Sequence, residues 1–128
     1  MARIKRLNKN TIKIAYWNVN RGFLTKGKIY EVEEQMNKLK VDIIALAEVE
    51  ITDTTYHMDG LYEIKGYSFE YPNAWKKYGR ARTMVYMKKN LEKYVKIRRD
   101  LMTEDQPDIW LELKVPDEES PVTVDFPI

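Results

Sequence analysis

The chain has 128 residues, 22 Lys and Arg against 20 Asp and Glu, and a formal net charge of +2. This length suits a single domain with a hydrophobic core, and the content of 44% apolar and 33% charged residues excludes a disordered tail. The absence of Cys excludes disulfides, thiolate metal sites and a Cys nucleophile, and the single His excludes a zinc site built on several imidazoles.

The first half of the chain predicts a strand, a helix and a second strand. Residues 1–10 are basic and polar and indicate a loose N-terminal arm. Thr11–Val19 alternates in polarity and is rich in β-forming residues, which predicts a strand. Lys28–Lys40 has apolar residues at helical spacing, and Val41–Val49 is an almost continuous apolar run typical of a strand buried on both faces.

This order, with its 22-residue connection, indicates a βαβ unit with two parallel strands. The carboxyl ends of the two strands then meet at the same edge of the sheet. Residues that follow the two apolar runs are therefore expected to lie near one another.

The second half predicts short strands and an α+β fold. Tyr94–Arg99 is compatible with either a strand or an irregular helix. The predicted strands are Tyr67–Tyr71, ended by Pro72, then Arg82–Lys88, Asp108–Val115 and Val122–Phe126.

Three polar side chains converge at the predicted edge of the βαβ unit. Asn18 and Asn20 are two residues apart and so share a face, while Glu48 ends a buried strand. One carboxylate beside amide oxygens suits a hard cation such as Mg²⁺. The alternative is structural: the two Asn side chains cap the turn and Glu48 pairs with a Lys.

A basic segment extends from Lys76 to Arg99, with Glu92 as its only acidic residue. Segregated positive charge is typical of a protein that binds a polyanion, although a solvated lysine-rich surface has the same composition. Its ten basic residues are Lys76, Lys77, Arg80, Arg82, Lys88, Lys89, Lys93, Lys96, Arg98 and Arg99.

The remaining candidates are aromatic residues and one His. Tyr71, Trp75 and Tyr78 flank the basic segment in a predicted loop and could stack on bases. Trp17, Tyr86 and Trp110, on predicted strands, are expected to pack in the core. His57, in the loop after Glu48, is expected to be a surface residue and not a catalytic base.

The segments IKIAYWNVNRG (12–22) and VDIIALAEVE (41–50), joined by one helix, resemble the start of the endonuclease/exonuclease/phosphatase superfamily. The stretch 82–114 is similar to the middle of the versions associated with reverse transcriptases in non-LTR retroelements. The resemblance covers roughly residues 11–115 and rests on the order and spacing of these motifs.

The resemblance implies the N-terminal half of a four-layer α/β sandwich with mixed sheets, within a single partial domain over residues 11–128. It also implies phosphodiester hydrolysis that depends on Mg²⁺ or Mn²⁺, with DNA as the expected substrate. Asn18 and Glu48 fall on the family's catalytic positions, and Glu48, Asn18 and Asn20 fall on its metal edge. The nucleic-acid contacts would be Lys76, Lys77, Arg80, Arg82, Lys88 and Lys89.

The chain departs from the family pattern in three respects, the first being that Arg21 interrupts the Asn-Gly step before Gly22. Ala47 stands where the family usually has Gln, and the 128 residues contain neither the Asp-x-Asn nor the Asp-His motif. We therefore expect the chain to be inactive alone and to need a missing C-terminal half, or to self-associate as a dimer. The alternative is a non-catalytic nucleic-acid-binding fragment that uses residues 76–99.

The expected location follows from the absence of long apolar segments. The longest apolar run, Ile43–Ala47, is far shorter than the ~20 residues that cross a bilayer, and the first ten residues lead into no apolar segment like that of a signal peptide. We expect an intracellular protein, cytoplasmic or nuclear, that is not secreted and has no membrane partner.

Overall fold

Eight strands, one α-helix and two short 3₁₀ helices make up the described fold. The computed structural model describes residues 3–6, 12–19, 26–52, 63–73, 80–103, 108–114 and 121–126. The elements are β1 (Arg3–Arg6), β2 (Lys13–Asn18), α1 (Lys26–Leu39), β3 (Ile43–Thr52), β4 (Tyr67–Glu70), β5 (Arg80–Lys88), a 3₁₀ helix (Lys89–Tyr94), β6 (Val95–Ile97), a 3₁₀ helix (Arg99–Leu101), β7 (Ile109–Leu113) and β8 (Val122–Phe126).

The strands form two sheets. The first sheet has the order β1-β2-β3-β5-β4, and the second has the order β6-β7-β8. β2 and β3 are parallel, as the βαβ pattern predicts, and every other pairing is antiparallel. The mixed first sheet and the second sheet confirm a truncated α+β sandwich.

Two apolar clusters hold these layers together, one on each face of the first sheet. Val32 and Met36 of α1, at the predicted helical spacing, pack on the face that carries Trp17, Ile44 and Leu46. On the opposite face the two sheets bury a second cluster, whose members are Ile12, Ile14, Ile43, Ala45, Val85, Met87, Met102, Ile109, Leu111, Leu113 and Phe126. β3 contributes to both clusters, which confirms a strand buried on both faces.

The structure corrects one expectation from the sequence and resolves another. Arg3–Arg6 pairs antiparallel with β2 and is therefore a strand rather than part of a loose arm, because it completes the hydrogen bonds of an otherwise open edge. Tyr94–Arg99 contains a three-residue strand, β6, between the two 3₁₀ helices. No helix among the described residues is long and apolar enough to span a bilayer.

Candidate metal centre

The carboxyl ends of β2 and β3 lie side by side. Asn18 is the register partner of Ala47, and the backbone N–H of Val19 donates to the Ala47 carbonyl at 3.0 Å. Glu48 follows directly in the chain. The structure thus brings Asn18 and Glu48 to one edge of the first sheet; Asn20 lies outside the described residues.

Alternation along β2 separates the polar residue from the core. Trp17 and Val19 are buried in the cluster beneath α1, as predicted. Asn18 points to the other face, and the residue is exposed.

A bulge in β3 determines where Glu48 points. The pairing with β5 shifts between Ala47 and Ile51, and Glu48 and Glu50 have left-handed backbones with φ of 59° and 53°. In a regular strand Glu48 would share the face of Leu46, inside the apolar cluster under α1. Val49 takes that face instead and is fully buried, while Glu48 is only half-buried.

The two glutamates of the bulge have different surroundings. The Nε of Arg82 donates to the Glu50 carboxylate at 3.2 Å. Glu48 forms no hydrogen bond or ion pair with any residue in the described part of the chain, so the structural alternative of a Glu48–Lys pair finds no support there. Glu50 is not among the predicted site residues, although it lies two residues after Glu48 in the sequence.

Glu48 and Asn18 fit a magnesium ion better than a transition metal. No group of three or more His, Cys, Asp or Glu side chains converges among the described residues. Mg²⁺ is commonly held by only one or two protein carboxylates and keeps several waters. The half-buried Glu48 carboxylate, which has no partner among the described residues, and the neighbouring Asn18 amide match the oxygen donors of that ion.

Thr83 of β5 is a second polar residue that sequence reasoning missed. It is the register partner of Ala47, so Asn18, Ala47 and Thr83 form one row across three neighbouring strands. Thr83 is fully buried, and its hydroxyl has no hydrogen-bond partner among the described residues. The sequence around Thr83 shows only the alternation of a strand. That alternation does not tell whether Thr83 faces the core or the solvent.

The described residues of the predicted basic face lie at the two opposite ends of β5. Arg80 and Arg82 lie at the end of the strand beside the bulge, and Lys88 and Lys89 follow at the other end, roughly 25 Å away. Arg82 pairs with Glu50, and the Lys88 ammonium lies 3.2 Å from the Asp42 carboxylate. Lys76 and Lys77 lie outside the described residues. The nucleic-acid contacts therefore stay a prediction, and the four described positions do not form one patch.

Some of the aromatic candidates are buried, and others lie outside the described residues. Tyr71 follows directly after β4, and the prediction that it could stack on a base is wrong: its side chain is 5% exposed and packs in the cluster under α1. Trp17 and Tyr86 are buried and Trp110 is half-buried, as expected. Trp75, Tyr78 and His57 lie outside the described residues.

Comparison with solved structures supports the fold. The AP endonuclease LMAP of Leishmania major is similar to this chain with a TM-score of 0.67 and 23% identity. The similarity covers 90% of this chain and 39% of the AP endonuclease chain, so the chain spans well under half of that protein. No protein-family model and no curated protein matches the sequence.

Proposed function

We propose that the chain is the N-terminal part of a metal-dependent phosphodiesterase domain of the endonuclease/exonuclease/phosphatase superfamily, of the type found in non-LTR retroelements. DNA is the proposed substrate. The observation that carries the proposal is the arrangement at the end of β2 and β3, where Asn18 adjoins a bulge that holds Glu48 out of the apolar core. The fold shared with an AP endonuclease supports it.

In this proposal Glu48 would be the principal metal ligand, Asn18 would orient the metal and the phosphate, and Asn20 would lie at the metal edge. The cation, Mg²⁺ or Mn²⁺, would polarise a phosphoryl oxygen and stabilise charge on the leaving oxygen. The half-burial of Glu48 strengthens its attraction for a cation relative to that of a fully hydrated carboxylate. The bulge in β3 thus serves to present the carboxylate.

The second candidate function is nucleic-acid binding without cleavage. The 128 residues contain no Asp-x-Asn motif, which orients the attacking water in the family that the sequence resembles, and no Asp-His motif. The excess of basic residues between Lys76 and Arg99 favours binding to a phosphate backbone even where no cleavage follows.

A titration with Mn²⁺, followed by electron paramagnetic resonance, tests the metal centre. Weak binding is expected in the native chain and none in Glu48→Gln, which keeps the shape and removes the carboxylate. Without metal, Glu48→Gln should melt slightly higher, because a half-buried charge without a partner is removed. Glu34→Gln, an exposed change on α1, is the matched control and should bind Mn²⁺ normally. A lower melting temperature for Glu48→Gln with unchanged Mn²⁺ binding would contradict the proposal.

A further inference from the structure

The bulge in β3 is longer than an ordinary β-bulge. Pairing of β3 with β5 stops at Ala47 and resumes at Ile51, while β5 advances over only one residue, Arg82. Three residues of β3, 48–50, thus lie opposite one residue of β5. An ordinary bulge places two residues opposite one. The regular pairing of the two strands is interrupted over this segment, so other contacts must hold it in shape.

The backbone of the bulge is unfavourable by itself. Glu48 and Glu50 have φ of 59° and 53°, in the left-handed region where a Cβ crowds the following carbonyl oxygen. Neither residue is Gly, Asn or Asp, the residue types that adopt this conformation most readily. Such a backbone persists only where the surrounding structure holds it. The direction of the Glu48 side chain therefore depends on the contacts that keep the bulge closed.

Side-chain contacts anchor both of the bulge residues that follow Glu48. Val49 is fully buried in the apolar cluster beneath α1. Arg82, across from the bulge, donates from its Nε to the Glu50 carboxylate at 3.2 Å. The Glu50 side chain is only 21% exposed, so solvent screens this ion pair incompletely. The two contacts fix the backbone that orients Glu48.

We propose that Arg82 is a positioning residue of the candidate metal centre: its ion pair with Glu50 keeps the bulge in the shape that presents Glu48 to a cation. The inference rests on the proposed function, because it takes Glu48 as the metal ligand. It gives Arg82 a role different from the phosphate contact expected from the sequence, since a phosphate would have to displace the Glu50 carboxylate.

Positioning and charge predict opposite effects of Arg82 on metal binding. A guanidinium beside the bulge repels a divalent cation, so removal of its charge alone would strengthen metal binding. Loss of the contact with Glu50 lets the bulge relax, so that the Glu48 carboxylate samples more directions and binds a cation less well. The sign of the change on removal of Arg82 therefore separates the two effects.

The test measures Mn²⁺ binding to the full chain by electron paramagnetic resonance at constant ionic strength. Arg82→Gln should weaken Mn²⁺ binding about tenfold, the lower end of the losses seen when a residue that orients a metal ligand is replaced. Arg82→Lys should restore much of the affinity, because its ammonium can still pair with Glu50. Without metal, Arg82→Gln should accelerate hydrogen exchange at the amides of residues 48–50.

Lys88→Gln is the matched control for the loss of an ion pair. The Lys88 ammonium lies 3.2 Å from the Asp42 carboxylate, the same distance as in the Arg82–Glu50 pair, and these side chains are similarly exposed at 34% and 18%. Lys88 is on the same strand as Arg82, at the end of β5 away from the bulge. The control should leave Mn²⁺ binding and hydrogen exchange in the bulge unchanged.

Tighter Mn²⁺ binding by Arg82→Gln would overturn the inference, because charge repulsion would then be the main effect of Arg82. Unchanged binding would show that the bulge keeps its shape without Arg82, and an equal loss in Lys88→Gln would show only a general loss of stability. Absence of Mn²⁺ binding from the native chain, or binding that Glu48→Gln leaves unchanged, would overturn the proposed function and this inference together. Binding that Glu48→Gln removes and Arg82→Gln does not weaken would overturn this inference alone.

Discussion

At the scale of single residues, the buried hydroxyl of Thr83 lowers the free energy of unfolding. Its hydroxyl is fully buried and has no partner in the part of the chain that the structure describes, and an unsatisfied buried group costs about 1–3 kcal/mol. Thr83→Val keeps the shape and removes the hydroxyl, so we expect the free energy of unfolding to rise by about 1–2 kcal/mol in urea denaturation. Thr123→Val, an exposed change on β8, should stay within about 0.5 kcal/mol of the native chain. A loss of stability in Thr83→Val would mean that a buried water satisfies the hydroxyl.

Asp125 provides a pH-dependent test. Burial, and then the charge of Asp108, raise the pKa of Asp125. Asp108 is held in place by the indole N–H of Trp110 at 2.8 Å, and its other oxygen is buried without a hydrogen-bond partner. A hydrogen bond between the two carboxyl groups requires that one of them is protonated, and it also raises the pKa of Asp125. Protonation therefore favours the folded state, and this stabilisation is lost as the pH rises through the raised pKa.

We therefore expect Asp125→Asn to melt above the native chain at pH 7, with the difference disappearing as the pH falls below about 4. Asp100→Asn is the control of opposite sign, because hydrogen bonds from Arg98 lower the pKa of Asp100 to about 2. That stabilisation is present above pH 4 and lost as the pH falls towards 2, so Asp100→Asn should melt lower at pH 7. Melting curves from pH 2 to pH 8 check both. A lower melting temperature of Asp125→Asn at pH 7 would contradict the first expectation.

At the scale of elements, periodicity explains what the sequence could predict. β2, α1 and β3 follow from alternation, helical spacing and an apolar run, and their order determines that Asn18 and Glu48 meet. The bulge could not be predicted, because left-handed φ values at two glutamates depend on pairing with β5, which is distant in sequence. The segment Tyr94–Arg99 was ambiguous for a similar reason: the strand within it, β6, forms by pairing with β7, which lies later in the chain.

Arg99 connects the second 3₁₀ helix to the end of β4. Its guanidinium donates to Glu70 at 2.7 Å, to Asn73 at 2.9 Å and to the Tyr71 carbonyl at 3.2 Å. A Lys side chain cannot span three acceptors, so Arg99→Lys should accelerate hydrogen exchange in β4. The global loss should not exceed about 1 kcal/mol, because the ion pair is exposed. Arg98→Lys, which affects β6 and β7, should leave β4 exchange unchanged; the opposite pattern would refute this connection.

At the scale of the whole molecule, the described surface is less apolar than the truncated fold predicted. Tyr30 and Leu101 are the only large hydrophobic side chains exposed among the described residues, at 60% and 39%. They lie on α1 and on the second 3₁₀ helix and do not belong to one element. Self-association through an apolar sheet face thus gains no support from the described part, and a dimer stays a prediction.

Catalysis is a property of the whole domain, and it leads to the last prediction. The chain matches 39% of an AP endonuclease chain and contains neither the Asp-x-Asn nor the Asp-His motif. Groups that act as a unit lose most of their effect when one is removed. The pure 128-residue chain should therefore nick supercoiled plasmid with Mg²⁺ or Mn²⁺ no faster than its Glu48→Gln variant does. Rapid metal-dependent nicking that Glu48→Gln abolishes would show that the 128 residues hold a complete active site, with other groups in place of the two motifs.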